Sequence, residues 1–202
     1  MNKRIKTGFL WMLICGLTAL GAACSNGPSN TGTANSEPLV KTEPAKAPSD
    51  KGDAVVTGGD LGFMNAAAAG GMAEVEISKM ALTKAQNVEV KAFAQTMVDD
   101  HSKAGEDLKK LAAQKKVMLP PDVMPTHKEV MDKLSKLSGA DFDMEYVKAM
   151  VADHKKDVTA FESVSKGATD ADVKAFAAKT LPTLKMHLEM INDIASKMGV
   201  KM

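Results

Sequence analysis

Cysteine is nearly missing from this chain. Its 202 residues include two, Cys15 and Cys24, both within the first 24 positions. Beyond Cys24, neither a disulfide framework nor a thiolate metal site can form. Aromatic side chains are scarce at 4%, with Trp11 the only Trp and Tyr146 the only Tyr. Strands draw on aromatic and β-branched residues, so a sheet-based fold is disfavoured. No excess of one charge is present either: the net charge is +1, and no basic stripe offers a surface to nucleic acid. Nor does any Ser or Cys stand in the strained elbow that hydrolases use for a nucleophile. What the chain does have is Ala, Leu, Val and 15 Met, a composition that favours helices.

The first 24 residues read as an export signal. Lys3, Arg4 and Lys6 form a basic head, Phe9 to Leu20 an apolar run, and Gly21-Ala22-Ala23 a small-residue approach to Cys24. The run is too short and wrongly flanked to span a membrane. Its end resembles the lipobox of bacterial lipoproteins, with Leu20 one place early and Gly21 in its slot. That resemblance makes Cys24 the lipid-bearing residue; plain signal cleavage near Ala23 is the alternative. From Ser25 to Gly59 the chain is mostly Ser, Asn, Gly, Thr, Pro and Lys. Such a segment cannot bury enough apolar surface to offset its chain entropy and reads as a disordered tether. The expectation is an exported protein of the periplasm or outer membrane, held to the membrane through a lipid on Cys24, with its protein partners open.

Residues 60–202 suffice for one domain with a core. Apolar periodicity predicts a helix from about Leu61 to Ala85, with Asp60 as N-cap and Ala66, Gly70, Ala73, Ile77, Met80 and Ala81 as its buried stripe. Asn87 caps a second helix that runs to about Lys115. Pro120-Pro121 interrupts the connector, and Thr126-His127-Lys128-Glu129 spells a capping box for a short helix to about Leu137. A third long helix spans about Ala140 to Lys166. A fourth starts after Thr169, with Asp172 as its third residue, and reaches about Met198, with a kink or a one-turn shift of its hydrogen bonds at Pro182. Short connections fold the first pair and the last pair back on themselves, which makes an all-α, four-helix up-down bundle with a short extra helix in its middle connection. Val90-Lys91-Ala92-Phe93-Ala94 recurs as Val173-Lys174-Ala175-Phe176-Ala177, so the bundle reads as a duplicated helical hairpin.

Each long helix carries one polar side chain on its apolar face: Glu74, His101, His154 and His187. At about 100° per residue, Val90, Ala94, Met97, Val98, Leu108 and Ala112 all fall within about 60° of His101. Met97 and Met150 stand four residues before His101 and His154, and Met190 three after His187, so thioethers share those faces. Burying an imidazole costs free energy unless something pairs with it. Three at similar depth therefore imply either a metal or a polar network. Nitrogen and thioether donors suit Cu(I) or Ag(I), with Zn if Glu74 joins. The candidate ligands are Glu74, His101, His154 and His187, with Met97, Met150 and Met190 beside them; copper is the favoured ion, ahead of zinc and iron. A metal-free bundle acting through protein contacts, its histidines tied in a polar network, is the rival. A di-iron oxidase stands behind both, because Val98, Val151 and Leu184 occupy the places where Glu-x-x-His pairs need an acid. Asp99, Asp100 and Asp153 read as solvated or capping charges, Tyr146 as a residue at the edge of the stripe with its hydroxyl toward an acid, and His127 as a surface residue. Counted from the turns, His187 sits about five residues deeper than His154, roughly 7 Å along the helix.

From Phe63 to about Met198 the chain resembles a bacterial family of exported ferritin-like proteins catalogued as a domain of unknown function. The resemblance rests on Gly71-Met72-Ala73-Glu74-Val75-Glu76, Met97-Val98-Asp99-Asp100-His101, Phe142-Asp143-Met144-Glu145-Tyr146, Met150-Val151-Ala152-Asp153-His154, and Leu181-Pro182 followed by His187-Leu188. It implies a ferritin-like bundle in the envelope, often as a lipoprotein, and no settled activity. The Met-x-x-x-His phrases are also similar to those of a neighbouring ferritin-like family that includes copper-binding periplasmic proteins.

Overall fold

The computed structural model describes residues 56–201. The export signal, Cys24 and nearly all of the tether lie outside the described residues. Within them the chain is all-helical: α1 (Gly58–Lys84), α2 (Val88–Gln114), α3 (Pro125–Ser135), α4 (Gly139–Gly167) and α5 (Ala171–Lys197). No helix among the described residues is long and apolar enough to cross a membrane. α1 packs on α2 and α4, α5 packs on α4 and α2, and α3 lies against α1 and α4.

Several helix ends differ from the sequence expectation, each for a local reason. α1 is capped by Thr57 and starts at Gly58, so Asp60 falls inside its first turn. The Asp60 carboxylate instead serves the other end of the chain, where its Oδ2 accepts from the backbone N–H of Thr169 (3.0 Å) and of Asp170 (2.8 Å). Asp143, in α4, does the same for the α1–α2 turn, accepting from the N–H of Gln86 (3.1 Å) and of Asn87 (2.8 Å). Asn87 caps α2 as expected, accepting from Glu89 and Val90. The cap of α5 is Asp170, one residue after Thr169, and it accepts from Asp172 and Val173. The capping box at Thr126 does not form. Pro125, whose fixed φ suits a first helical position, starts α3 two residues earlier, behind Met124. α5 runs without a break through Pro182.

The clamps and caps repeat at one step. Asp60 and Asp143, Asn87 and Asp170, and Val90 and Val173 are each 83 residues apart. That constant step is the hairpin duplication, and it makes the clamping reciprocal: each hairpin's first helix ties down the other hairpin's turn.

The buried apolar side chains form two clusters. One includes Ile77, Phe93, Met97, Tyr146, Met150 and Ile191 and reaches the α1–α2 turn. The other includes Met64, Leu108, Phe161, Val173, Phe176 and Leu184 and reaches the α4–α5 turn. Ala66 of the expected α1 stripe is exposed, while Met64 and Ala69 are buried. A helix this rich in Ala and Gly offers little contrast between its faces, so its stripe is poorly marked. Tyr146 is fully buried rather than at an edge. Its hydroxyl pairs with Ser78 Oγ at 3.0 Å instead of with an acid.

Replacing Asp143 with Ala leaves two backbone donors of the α1–α2 turn without their charged acceptor. It should cost about 2 kcal/mol, a drop of about 4–8 °C in Tm, measured by thermal denaturation of the purified protein. An unchanged Tm would show that the clamp contributes nothing to stability.

Candidate metal centre

The gap between the two apolar clusters is filled by one polar residue from each long helix. Glu74 lies between Met64 and Ile77 on α1, and His101 between Met97 and Leu108 on α2. His154 lies between Val151 and Phe161 on α4, and His187 between Leu184 and Ile191 on α5. All four are buried, His154 and His187 completely. The rings meet: centroids are 5.6 Å apart for His101 and His154, 5.3 Å for His101 and His187, and 5.5 Å for His154 and His187. One nitrogen of each ring lies within 4.8 Å of one from each of the others, the only such group of His, Cys, Asp or Glu among the described residues to be buried throughout. The offset of one turn or more expected for His187 is therefore absorbed within the fold. The ring of His101 lies against α1 at Gly71, where a Cβ would stand 4.0 Å from Nδ1, an ordinary contact.

Each imidazole is anchored by one nitrogen. His154 Nδ1 is 3.0 Å from the carbonyl of Met150; a carbonyl only accepts, so the proton of that ring sits on Nδ1. His187 Nε2 donates to Asp100 Oδ2 at 2.9 Å. Asp100 is thus engaged with the site and is not a merely solvated charge. His101 Nδ1 is 2.9 Å from Glu74 Oε2 and donates to it when that carboxylate is ionised. The Glu74 Oε1 atom lies 3.4 Å from His154 Nδ1. The opposite nitrogens, His101 Nε2, His154 Nε2 and His187 Nδ1, are buried without a hydrogen-bond partner, as is Glu74 Oε1. Orphaned buried polar atoms are costly and uncommon. Three of these four are imidazole nitrogens with free lone pairs, on the three rings that converge, and this donor set fits a metal ion; Glu74 is outside that convergent group.

Burial sets the proton affinities of this layer. It holds all three imidazoles below their usual range, His101 at about 4, partly offset at His154 by Glu74 and at His187 by Asp100. The rings are therefore neutral near pH 7 and do not need to lose a proton before they can act as ligands. Burial pushes the Glu74 carboxyl up to about 7, against the pull of His154. Asp157 was missed in the sequence. It is half-buried on α4, three residues after His154, and burial together with the charge of Glu74 pushes it up to about 8. The Glu-x-x-His pattern places its acid three residues before a histidine, whereas Asp157 stands three after one. Glu74, His101, Asp157 and His187 line a cavity of about 420 Å³ together with Phe161 and Phe176. Met97 and Met150 are fully buried in the cluster beside the layer, and Met190 is half-buried against it. His127 stands apart on α3.

The profile of a family described as a domain of unknown function, DUF4142, matches residues 45–194. No curated protein matches the chain. Among solved structures the chain is similar to a DUF305 fragment from Deinococcus radiodurans, with 12% identity and a TM-score of 0.62 over 70% of this chain and 98% of that one. A DUF305 protein from Streptomyces coelicolor is 17% identical, with a TM-score of 0.60 over 71% and 95%. CopM in its Cu(II)-bound form is also 17% identical, with a TM-score of 0.59 over 68% and 96%. CopM is known in Cu(I)-bound and Ag-bound forms as well. At these identities the likeness is one of fold.

The raised and lowered proton affinities give the metal-free protein a pH signature. From about pH 4 to 6.5 the unfolded chain binds more protons at its histidines than the folded one, which favours folding as pH rises. The two carboxyls act in the opposite sense, and above about pH 6.5 they act alone, because the folded state holds protons there that the unfolded state has lost. Stability should therefore peak near pH 6.5 and decline toward pH 8, followed by urea denaturation. Combining Glu74→Gln with Asp157→Asn should flatten the alkaline limb. A wild-type profile already flat over that limb would contradict the burial of these carboxyls.

Proposed function

The chain belongs to the DUF4142 family, and on that premise we propose that it holds a soft transition-metal ion, copper favoured, in the middle of its bundle. His101, His154 and His187 would supply neutral nitrogen, Glu74 an anionic oxygen once it turns from His101 Nδ1, and Met97, Met150 and Met190 thioether sulfur beside them. One observation carries the reading: three buried imidazoles each have one nitrogen anchored on an acceptor and the other without a partner. Metal-bound histidines are commonly held in this way by their second nitrogen. Nitrogen with thioether prefers Cu(I) or Ag(I); Glu74 also admits zinc, and iron ranks last for want of further carboxylates. That CopM has been solved with copper and with silver supports the reading at the level of a shared fold.

The rest of the proposal concerns setting. The ring of packing neighbours α1–α2–α5–α4, joined in pairs by turns of three residues, is read as a ferritin-like up-and-down bundle. The basic head, apolar run and small residues before Cys24 support export, with a lipid on Cys24 holding the domain to the membrane by the tether of residues 25–59. In the periplasm or outer membrane, such a centre would buffer copper without thiol chemistry. The rival is a metal-free structural or protein-interaction bundle. It is favoured by the fact that every imidazole already makes one hydrogen bond.

Elemental analysis of the purified protein decides between them. The wild type should carry close to one copper or silver ion per chain after loading and dialysis, and a His101→Ala plus His154→Ala variant almost none. Met97→Leu or Met150→Leu should weaken copper retention while leaving the fold intact by circular dichroism. Negligible metal in wild type and double variant alike would remove the metal centre and leave the structural reading. For the anchor, Cys24→Ser should move the mature protein from the detergent phase to the aqueous phase, and a protein equally soluble with or without Cys24 would overturn lipidation.

A further inference from the structure

We infer that Asp157 is the second anionic group of this centre, the counterpart of Glu74 in the other hairpin, and that it fits the centre for a divalent ion as well as a monovalent one. The inference deepens the metal-binding reading and rests on it. The step of 83 residues that relates Asp60 to Asp143 and Asn87 to Asp170 also carries Glu74 onto Asp157. The histidines have no such mates: the same step takes His101 to Leu184, His154 back to Gly71 and His187 back to Ala104. Within the polar layer, the duplication therefore pairs the carboxylates and leaves the imidazoles single.

Geometry brings the pair to one place. Glu74 and Asp157 line the same cavity, in company with His101 and His187. Asp157 follows His154 by three residues and so lies on the same face of α4, one turn further along. Glu74 is 2% exposed, and its Oε1 has no hydrogen-bond partner. Burial raises the Asp157 carboxyl, and the charge of Glu74 raises it further.

Charge balance then assigns a role. Three neutral imidazoles and the buried carboxylate of Glu74 offset a single positive charge, which matches Cu(I) or Ag(I); Asp100, on the anchored side of His187, lines the same cavity but is 36% exposed and is screened by water. A divalent ion in the same place leaves one unit of buried charge uncompensated, and such charge is costly away from water. Asp157 supplies the missing unit when it loses its proton, so Zn(II) or Cu(II) recruits both acids where Ag(I) needs Glu74 alone.

Zn(II) and Ag(I) titrations of the full chain, each in competition with a chelator of known affinity, test this on wild type, Asp157→Asn, Asp157→Glu and Glu74→Gln. Asp157→Asn should lose about 10- to 100-fold in Zn(II) affinity and change little for Ag(I). Asp157→Glu should recover most of the Zn(II) loss, and Glu74→Gln should weaken both ions. Equal loss of both ions in a folded Asp157→Asn protein, or no loss of either, overturns the role of Asp157 while leaving the metal centre standing. A wild type that binds neither ion overturns the centre itself.

Discussion

The structure turns on a layer of buried polar groups at the level where a helical bundle most needs apolar ones. Glu74, His101, His154 and His187 split the core into two clusters, and every other feature of the middle accommodates them. Met97, Val151, Leu184 and Ile77 pack the layer from either side. The Met150 carbonyl and Asp100 each take one imidazole N–H. Neutral imidazoles and a carboxyl that retains its proton to about pH 7 lower the cost of this burial. They do not remove it, because one nitrogen on each ring still lacks a partner. A cation held among the converging rings would supply such a partner.

Around this layer the rest of the bundle behaves as a scaffold of reciprocal ties. Asp60 holds the α4–α5 turn and Asp143 the α1–α2 turn. Two hairpins that each fix the other's turn hold their helices in register along the bundle axis, and only a fixed register keeps residues from four helices at one height. The duplicated sequence thus supplies the frame, and its departures from symmetry supply the histidines. The two Met-Val-x-Asp-His phrases are 53 residues apart rather than 83, so they are not duplicates of one ancestral position.

Much of this is legible in the sequence, for physical reasons. Helices with strongly contrasting faces reveal themselves by period, and Asn87 announces its helix by the short-range chemistry of a cap. A lone polar side chain inside an apolar arc points inward because its neighbours do, which is why Glu74, His101, His154 and His187 can be picked out one helix at a time. What spacing cannot convey is how helices far apart in sequence meet. Asp60 looks like an ordinary N-cap and Asp143 like one more acid early in its helix, until a distant turn is seen to lie against each. Asp100 sits beside an inward residue and reads as solvated, yet α5 brings His187 to it. Asp157 lies at the margin of its apolar arc, and its meaning depends on the cavity it shares with Glu74.

Anomalous diffraction from crystals loaded with copper or silver, recorded at the edge of that metal, tests the central claim most directly. The account predicts one strong peak between the rings of His101, His154 and His187, within bonding distance of a nitrogen from each. Peaks confined to surface methionines such as Met118, with the three rings left as they stand, would contradict it.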